Sequence, residues 1–275
     1  MSKSRIEQLF EALCNGETAN IKPRSRIENF LLSLVCGEKA NIEPKSRVEA
    51  YLASLCEKGL GNSGGGSDSA SQWIRVIEGD ESKPATELPA ALTKIRQYAF
   101  QKCISLALTS LPDGVTEIGN NAFQECTNLA LTSLPDGITT INSYTFQKCT
   151  NLALTSLPDG VTELDTYAFA SCSNLALSRL PDGVTSIGNY AFSKCPKNTI
   201  SVIPAGVTFI GNRAFESCSG MTTLTFKGKP ETINSSAFYT SSSIQTINVP
   251  WAEGEVANAP WGATRATINY NYTEG

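Results

Sequence analysis

From residue 88 onward the apolar positions return on a fixed step of 23 residues. Phe100, Phe123, Phe146, Phe169, Phe192, Phe215 and Phe238 keep that step. Cys103, Cys126, Cys149, Cys172, Cys195 and Cys218 each lie three residues after a phenylalanine. Ile95, Ile118, Ile141, Leu164, Ile187, Ile210 and Ile233 hold the same period, as do the Leu-Pro pairs beginning at Leu88, Leu111, Leu134, Leu157 and Leu180. Residues 88–248 make 161 residues, and 161 divided by 23 gives seven units without an insertion. A period held this strictly predicts a solenoid in which each unit is one coil stacked on the last.

One coil, Leu111 to Ser133, reads as follows. Leu111-Pro112-Asp113-Gly114 is a turn, since proline fixes φ while aspartate and glycine supply turn geometry. Val115 and Ile118 point inward. Gly119 and its equivalents Asn142, Asp165, Gly188, Gly211 and Asn234 are residues that tolerate positive φ, so a left-handed turn is expected there, with Arg96 as the exception. Asn121-Ala122-Phe123 is expected to open a short helical turn. Phe123, Cys126 and Leu129 then fill the core, and Leu131 and Leu134 carry a short parallel strand. About six apolar side chains per coil, each worth ~1.5–3 kcal/mol on burial, would hold the stack together. After Val249 the register persists for half a coil, with Val256 on the isoleucine position and Trp261 on the phenylalanine position, as a terminal cap requires.

Residues 1–58 carry a different repeat. Ser4-Arg5-Ile6-Glu7, Ser25-Arg26-Ile27-Glu28 and Ser46-Arg47-Val48-Glu49 stand 21 residues apart, and each is a Ser-x-x-Glu capping box. Apolar residues follow at helical spacing, for instance Ile6, Leu9, Phe10 and Leu13. Gly16, Gly37 and Gly59 end the segments, and Pro23 and Pro44 precede the second and third. Three short helices are predicted, each near or below the ~12–15 residues at which a lone helix is marginal. Their apolar stripes therefore need a partner, either one another, a second copy or a foreign surface. Residues 59–72 are a Gly/Ser-rich linker, and no Lys-Ser/Thr follows the glycines to make a phosphate loop. Residues 73–275 form the solenoid with its caps, and Trp73-Ile74-Arg75-Val76-Ile77 is apolar enough to lead into its first coil.

The pattern of Leu180-Pro181-Asp182-Gly183-Val184 through Ile187-Gly188-Asn189-Tyr190-Ala191-Phe192-Ser193-Lys194-Cys195 resembles the BspA-like leucine-rich repeats. That resemblance implies a right-handed leucine-rich-repeat solenoid of short parallel strands and short helical turns, to which the capping boxes of residues 1–58 add a small all-α N-terminal module. The family includes surface adhesins, proteins of gut bacteria and proteins carried by their phages. Two departures stand out: Asn198 where the core leucine belongs, and Ser241 where cysteine belongs. The segment Pro44-Lys45-Ser46-Arg47-Val48-Glu49-Ala50-Tyr51-Leu52 is similar to attachment repeats in fibre and tail proteins of phages infecting Gram-positive bacteria.

Composition narrows the function. Twenty-two basic against 26 acidic residues give no reason to expect nucleic acid as partner, and no apolar stretch is long enough to insert in a membrane. The absence of histidine removes the commonest general base and metal ligand, so neither catalysis nor a cofactor is expected. The opening Met-Ser-Lys-Ser-Arg has no apolar signal core, which predicts a protein not exported by the usual route. Nine cysteines fall at equivalent repeat positions, including Cys14, Cys36 and Cys56, which predicts buried thiols rather than disulfides or zinc ligands. Asp113, Asp136, Asp159 and Asp182 form a column, explained by their shared Pro-Asp-Gly turn.

Binding candidates are the positions the repeat leaves free. Tyr144, Tyr167 and Tyr190, with Tyr98 earlier in the column, could make an aromatic strip for sugar or protein, or could simply cover the preceding coil. The small residues Thr109, Ser110, Thr132, Ser133, Thr155 and Ser156 make the expected strand face featureless. Arg5, Phe10, Arg26, Phe30, Arg47 and Tyr51 are the docking or self-association candidates. The sequence thus predicts a non-enzymatic structural or attachment protein, first a phage virion component assembled in the host cytoplasm. It would be a homo-oligomer or dock to a virion protein through residues 1–58, and bind protein or glycan on a cell surface. A bacterial surface adhesin and an intracellular scaffold are the alternatives.

Overall fold

The computed structural model describes Leu88 and residues 92–273. Within them run eleven short strands: β1 (Lys94–Ile95), β2 (Glu117–Ile118), β3 (Thr140–Ile141), β4 (Glu163–Leu164), β5 (Ser186–Ile187), β6 (Val202–Ile203), β7 (Phe209–Ile210), β8 (Thr223–Phe226), β9 (Thr232–Ile233), β10 (Thr246–Asn248) and β11 (Thr267–Asn269). All pairings are parallel, in sheets β1-β2, β3-β4-β5-β7-β9 and β6-β8-β10-β11. Registers such as Ile95↔Ile118 and Ile187↔Ile210 advance by one repeat, so the 23-residue period is the coil of a parallel β-solenoid.

The inward row is the one the pattern predicted. In the coil from Leu111, the side chains of Leu111, Val115, Ile118, Ala122, Phe123, Cys126, Leu129 and Leu131 are all buried. Because every coil repeats the same backbone, equivalent side chains stack on themselves. The seven phenylalanines form one column with centroids 5.3–5.6 Å apart and planes within 15°. Beside it, each thiol reaches back one coil: Cys126 Sγ donates to Phe100 O at 2.8 Å, and Cys149, Cys172, Cys195 and Cys218 do the same to Phe123, Phe146, Phe169 and Phe192. Ser241 keeps this bond through Oγ to Phe215 O, so its departure from cysteine preserves the donor. The six solenoid cysteines are free and buried, and burial pushes the Cys149, Cys195 and Cys218 thiols well above their ordinary range.

Three local expectations are corrected. No helix occurs among the described residues. In the segment after each isoleucine, alternate amides bond locally and to the next coil: Ala99 N donates to Arg96 O and Gln101 N to Tyr98 O, while Tyr98 N donates to Asn120 O and Phe100 N to Ala122 O. A helix would direct its amides along its own axis and leave the stacking coil without donors. The left-handed residues are accordingly not at the Gly119 position but two and six residues further on, at Asn121 and Glu125 and their equivalents. Glycine at 119 serves close approach instead, since a Cβ there would lie 2.4 Å from Gln97 N, and one at Gly211 would lie 2.6 Å from Asn189 N.

The third correction concerns the strands. In the early coils the strand runs at the isoleucine, not at Leu131–Leu134. Leu129, Leu131 and Leu134 are all buried with spacings of two and three, which a strand of period two cannot present on one face. In the last coils β8 and β10 form across the inward residues Leu224, Phe226 and Ile247, and β6 joins them by pairing Val202 with Thr225.

The sheet is also interrupted between β2 and β3. There Asn142 Nδ2 donates to Ile118 O at 2.7 Å, taking the carbonyl that elsewhere accepts a backbone amide, as in Gly119 N to Ile95 O and Asp165 N to Ile141 O. At the C-terminal end Trp261 takes the phenylalanine position as expected: it is fully buried, its carbonyl accepts Phe238 N, and its Nε1 donates to Ala257 O. Trp251 packs edge to face with both Phe226 and Trp261, Phe226 lies tilted against Trp261, and Val256 is partly buried against the core.

Candidate binding edge

The repeat backbone itself creates two columns of left-handed residues along one edge. The first holds Tyr98, Asn121, Tyr144, Tyr167, Tyr190 and Arg213, and the second Lys102, Glu125, Lys148, Ser171, Lys194, Ser217 and Thr240. An L-residue in this conformation costs about 1–2 kcal/mol, which glycine would avoid. The tyrosines nonetheless sit at φ of 57–61°.

Sequence reasoning placed Tyr144, Tyr167 and Tyr190 in one strip, and the structure brings them together. Tyr144 and Tyr167 stack at 4.9 Å and 15°, Tyr167 and Tyr190 at 4.6 Å and 2°. The rings spend their faces on one another, and such pairs contribute about 0.5–1.5 kcal/mol beyond burial, offsetting part of the backbone cost. Three residues on from Tyr167 and Tyr190 lie the buried small residues Ala170 and Ser193. Burial, then the neighbouring Tyr190 and Tyr144 phenols and Glu216, push the Tyr167 hydroxyl above the usual tyrosine range. It is therefore a neutral donor at physiological pH.

The flanks of the strip were not legible from the period. Gln101 Nε2 donates to Gln124 Oε1, and Gln124 Nε2 donates to Gln147 Oε1 at 2.5 Å, making an amide ladder beside Tyr98, Asn121 and Tyr144. At the other end Arg213 lies 4.6 Å above the Tyr239 ring and donates to Glu216 Oε1, while Ser193 Oγ donates to Glu216 Oε2. The tyrosine row thus ends in a neutralised Arg-Glu pair. In the second column the Lys148 hydrogen bond holds Glu125 below the usual carboxylate range; burial opposes it, and the Lys148 and Lys102 charges add to it.

Other candidate positions carry less. Asp113, Asp136, Asp159 and Asp182 are exposed in turns closed by bonds such as Val115 N to Pro112 O, which supports turn chemistry; Asp159 also pairs with Arg179. Among the described residues, no cluster of His, Cys, Asp and Glu could hold a metal, and no helix is long and apolar enough to cross a membrane. Thr109, Ser110, Thr132, Ser133, Thr155 and Ser156 are exposed. Arg5, Phe10, Arg26, Phe30, Arg47 and Tyr51 lie outside the described residues, as do Cys14, Cys36, Cys56, the linker and Trp73–Ile77.

Comparison with known proteins agrees with this architecture. A leucine-rich repeat protein from Bacteroides ovatus has 22% identity and a TM-score of 0.50, over 70% of this chain and 55% of that one. A leucine rich cell surface protein from Faecalibacterium prausnitzii has 26% identity and a TM-score of 0.42, over 57% of this chain and 59% of that one. The chain therefore spans somewhat more than half the length of these two proteins. No curated protein matches the sequence. The BspA type leucine-rich repeat region matches in six copies across residues 81–199 and 142–258, more than half of the chain, and the protein belongs to that family.

Proposed function

We propose that this chain is a non-enzymatic attachment protein, in which the solenoid presents its tyrosine-lysine edge to a partner and residues 1–58 hold it to a larger assembly. The observation that carries this reading is the edge itself. Four of the seven coils place tyrosine or lysine at left-handed positions where glycine or asparagine would cost less. A repeat stack selected for stability alone has no use for that cost, whereas a repeat surface used for binding does.

The assembly is a phage particle in the reading favoured by the N-terminal Arg-Ile-Glu repeats, which resemble fibre and tail attachment repeats. Display on a bacterial cell surface is the second reading, favoured by the repeat family of the solenoid. The partner is a protein or glycan on a cell surface. Mass spectrometry of purified phage particles and of washed cell envelopes from the producing strain separates the two readings. Labelled full chain applied to candidate host cells tests attachment, with saturable binding as the expected result. Absence from both fractions and no cell binding would refute an attachment role.

A further inference from the structure

We propose that the ligand of this edge is a linear acidic glycan laid along the solenoid axis, about one sugar per coil. The inference rests on the attachment reading above and specifies its partner. Three features of the edge lead to it. First, the tyrosine rings cover one another, so the strip offers a row of hydroxyl groups rather than open ring faces. This excludes the usual stacking of a sugar face on an aromatic platform along the row and selects a ligand rich in hydrogen-bonding oxygens.

Second, the edge carries net positive charge, with Lys102, Lys148, Lys194 and Arg213 against Glu125 and Glu216. Lys102, Lys148 and Lys194 occupy the second left-handed position of the same coils that carry Tyr98, Tyr144 and Tyr190. Glu125 is engaged by Lys148, and Glu216 by Arg213 and Ser193, so these pairs cancel on both sides and the charge left on the edge is that of Lys102 and Lys194. Lys102 and Lys194 stand four coils apart (194 − 102 = 92), so the edge suits a polymer that carries carboxylates at intervals rather than on every unit.

Third, the spacing discriminates between polymers. Neighbouring rings stand 4.6–4.9 Å apart in the tyrosine column and 5.4–5.5 Å apart in the phenylalanine column of the same coils. An extended peptide rises about 3.3 Å per residue and repeats its face about every 6.6 Å, so along this axis it falls out of register within two coils. A hexose unit in an extended chain advances by about one coil step and stays in register.

The test uses the full chain and titration calorimetry with three probes. These are an oligosaccharide of alternating glucuronate and N-acetylglucosamine, a chitin oligosaccharide of equal length, and poly-L-glutamate. The acidic oligosaccharide is expected to bind and to weaken with added salt. Tyr167→Phe keeps the stacked ring and removes one hydroxyl, so it is expected to fold normally and lose about three- to tenfold in affinity. Lys102→Gln with Lys194→Gln is expected to lose about tenfold and flatten the salt dependence. Thr132→Ala, away from the edge, is expected to change nothing. Equal binding of the chitin oligosaccharide, tighter binding of poly-L-glutamate, or an unaltered affinity in Tyr167→Phe would each overturn the assignment. Cell binding by the full chain without binding of the acidic oligosaccharide overturns the glycan and leaves attachment standing; loss of cell binding removes both.

Discussion

Replacing Phe169 with alanine tests whether the phenylalanine column is the mechanical centre of the solenoid. Phe169 is fully buried, with Phe146 stacked on one face at 5.4 Å and Phe192 on the other at 5.5 Å. Phe→Ala in a core costs about 3–5 kcal/mol through lost transfer energy and residual cavity. Two stacked partners, each worth about 0.5–1.5 kcal/mol, place this site at the upper end of that range. Against a total of about 5–15 kcal/mol, the change removes a large share of stability. In a domain of this size it should lower Tm by about 6–20 °C. A repeat stack is held by nearest neighbours, so a defect in the central coil should also let the two halves unfold separately, seen as a shallower urea transition. The assay is urea and thermal unfolding of the full chain by circular dichroism, with Phe209→Ala as control, because Phe209 is 39% exposed on β7. If Phe169→Ala costs no more than Phe209→Ala, the column is not what holds the coils together.

Other predictions follow from single groups. In the native protein the six solenoid thiols should resist a thiol reagent at pH 8, since each is buried and burial raises those resolved; denaturation should release close to nine thiols. Disulfides formed under non-reducing conditions would contradict this. Asp165 is held above the usual carboxylate range, first by burial and then by Glu163. The stability it contributes is therefore full below its unfolded pKa and is lost as pH rises through its folded pKa. Asp165→Asn should then raise Tm at pH 7 and have little effect below the carboxylate range; the reverse pH dependence in thermal melts would refute the sign. Self-association is expected to depend on residues 1–58, so light scattering should show a larger mass for the full chain than for residues 73–275. Equal monomeric masses would refute it.

The fold was legible in the sequence because a coil that stacks on its own copy must put the same residue type at the same inward place. Phe123, Cys126, Ile118 and Leu129 could be read inward from their period alone, and Trp261 could be placed by adding 23 to Phe238. Legibility failed where hydrogen bonding, rather than burial, decides the backbone. Glycine and asparagine at the 119 position suggested positive φ, yet glycine is there for clearance from the previous coil, and tyrosine and lysine occupy the left-handed places. Residue preference cannot reveal this, because the inter-coil amide ladder imposes the conformation whatever the side chain. The strand at Ile118 was missed for a related reason: one inward residue per coil leaves no alternation to detect. Buried Asn198 was visible as a departure, but not that its Oδ1 accepts Leu177 N across the coil boundary.

The same reasoning explains why the proposed binding edge sits where it does. A side chain in a flat strand position is shared with the sheet, and its replacement disturbs the ladder on both sides. At a left-handed turn the backbone is already fixed by bonds to neighbouring coils, such as Tyr144 N to Thr166 O and Lys148 N to Ala170 O. The side chains there can change from Tyr98 to Asn121 to Arg213 while the conformation stays within φ of 50–61°. From Phe100 to Phe238 the phenylalanine column shows no such change, since each ring stacks on the one before it. Variation in size and charge is thus widest on an edge whose spacing the core sets, which is the arrangement a repeat protein needs to change its partner without changing its fold.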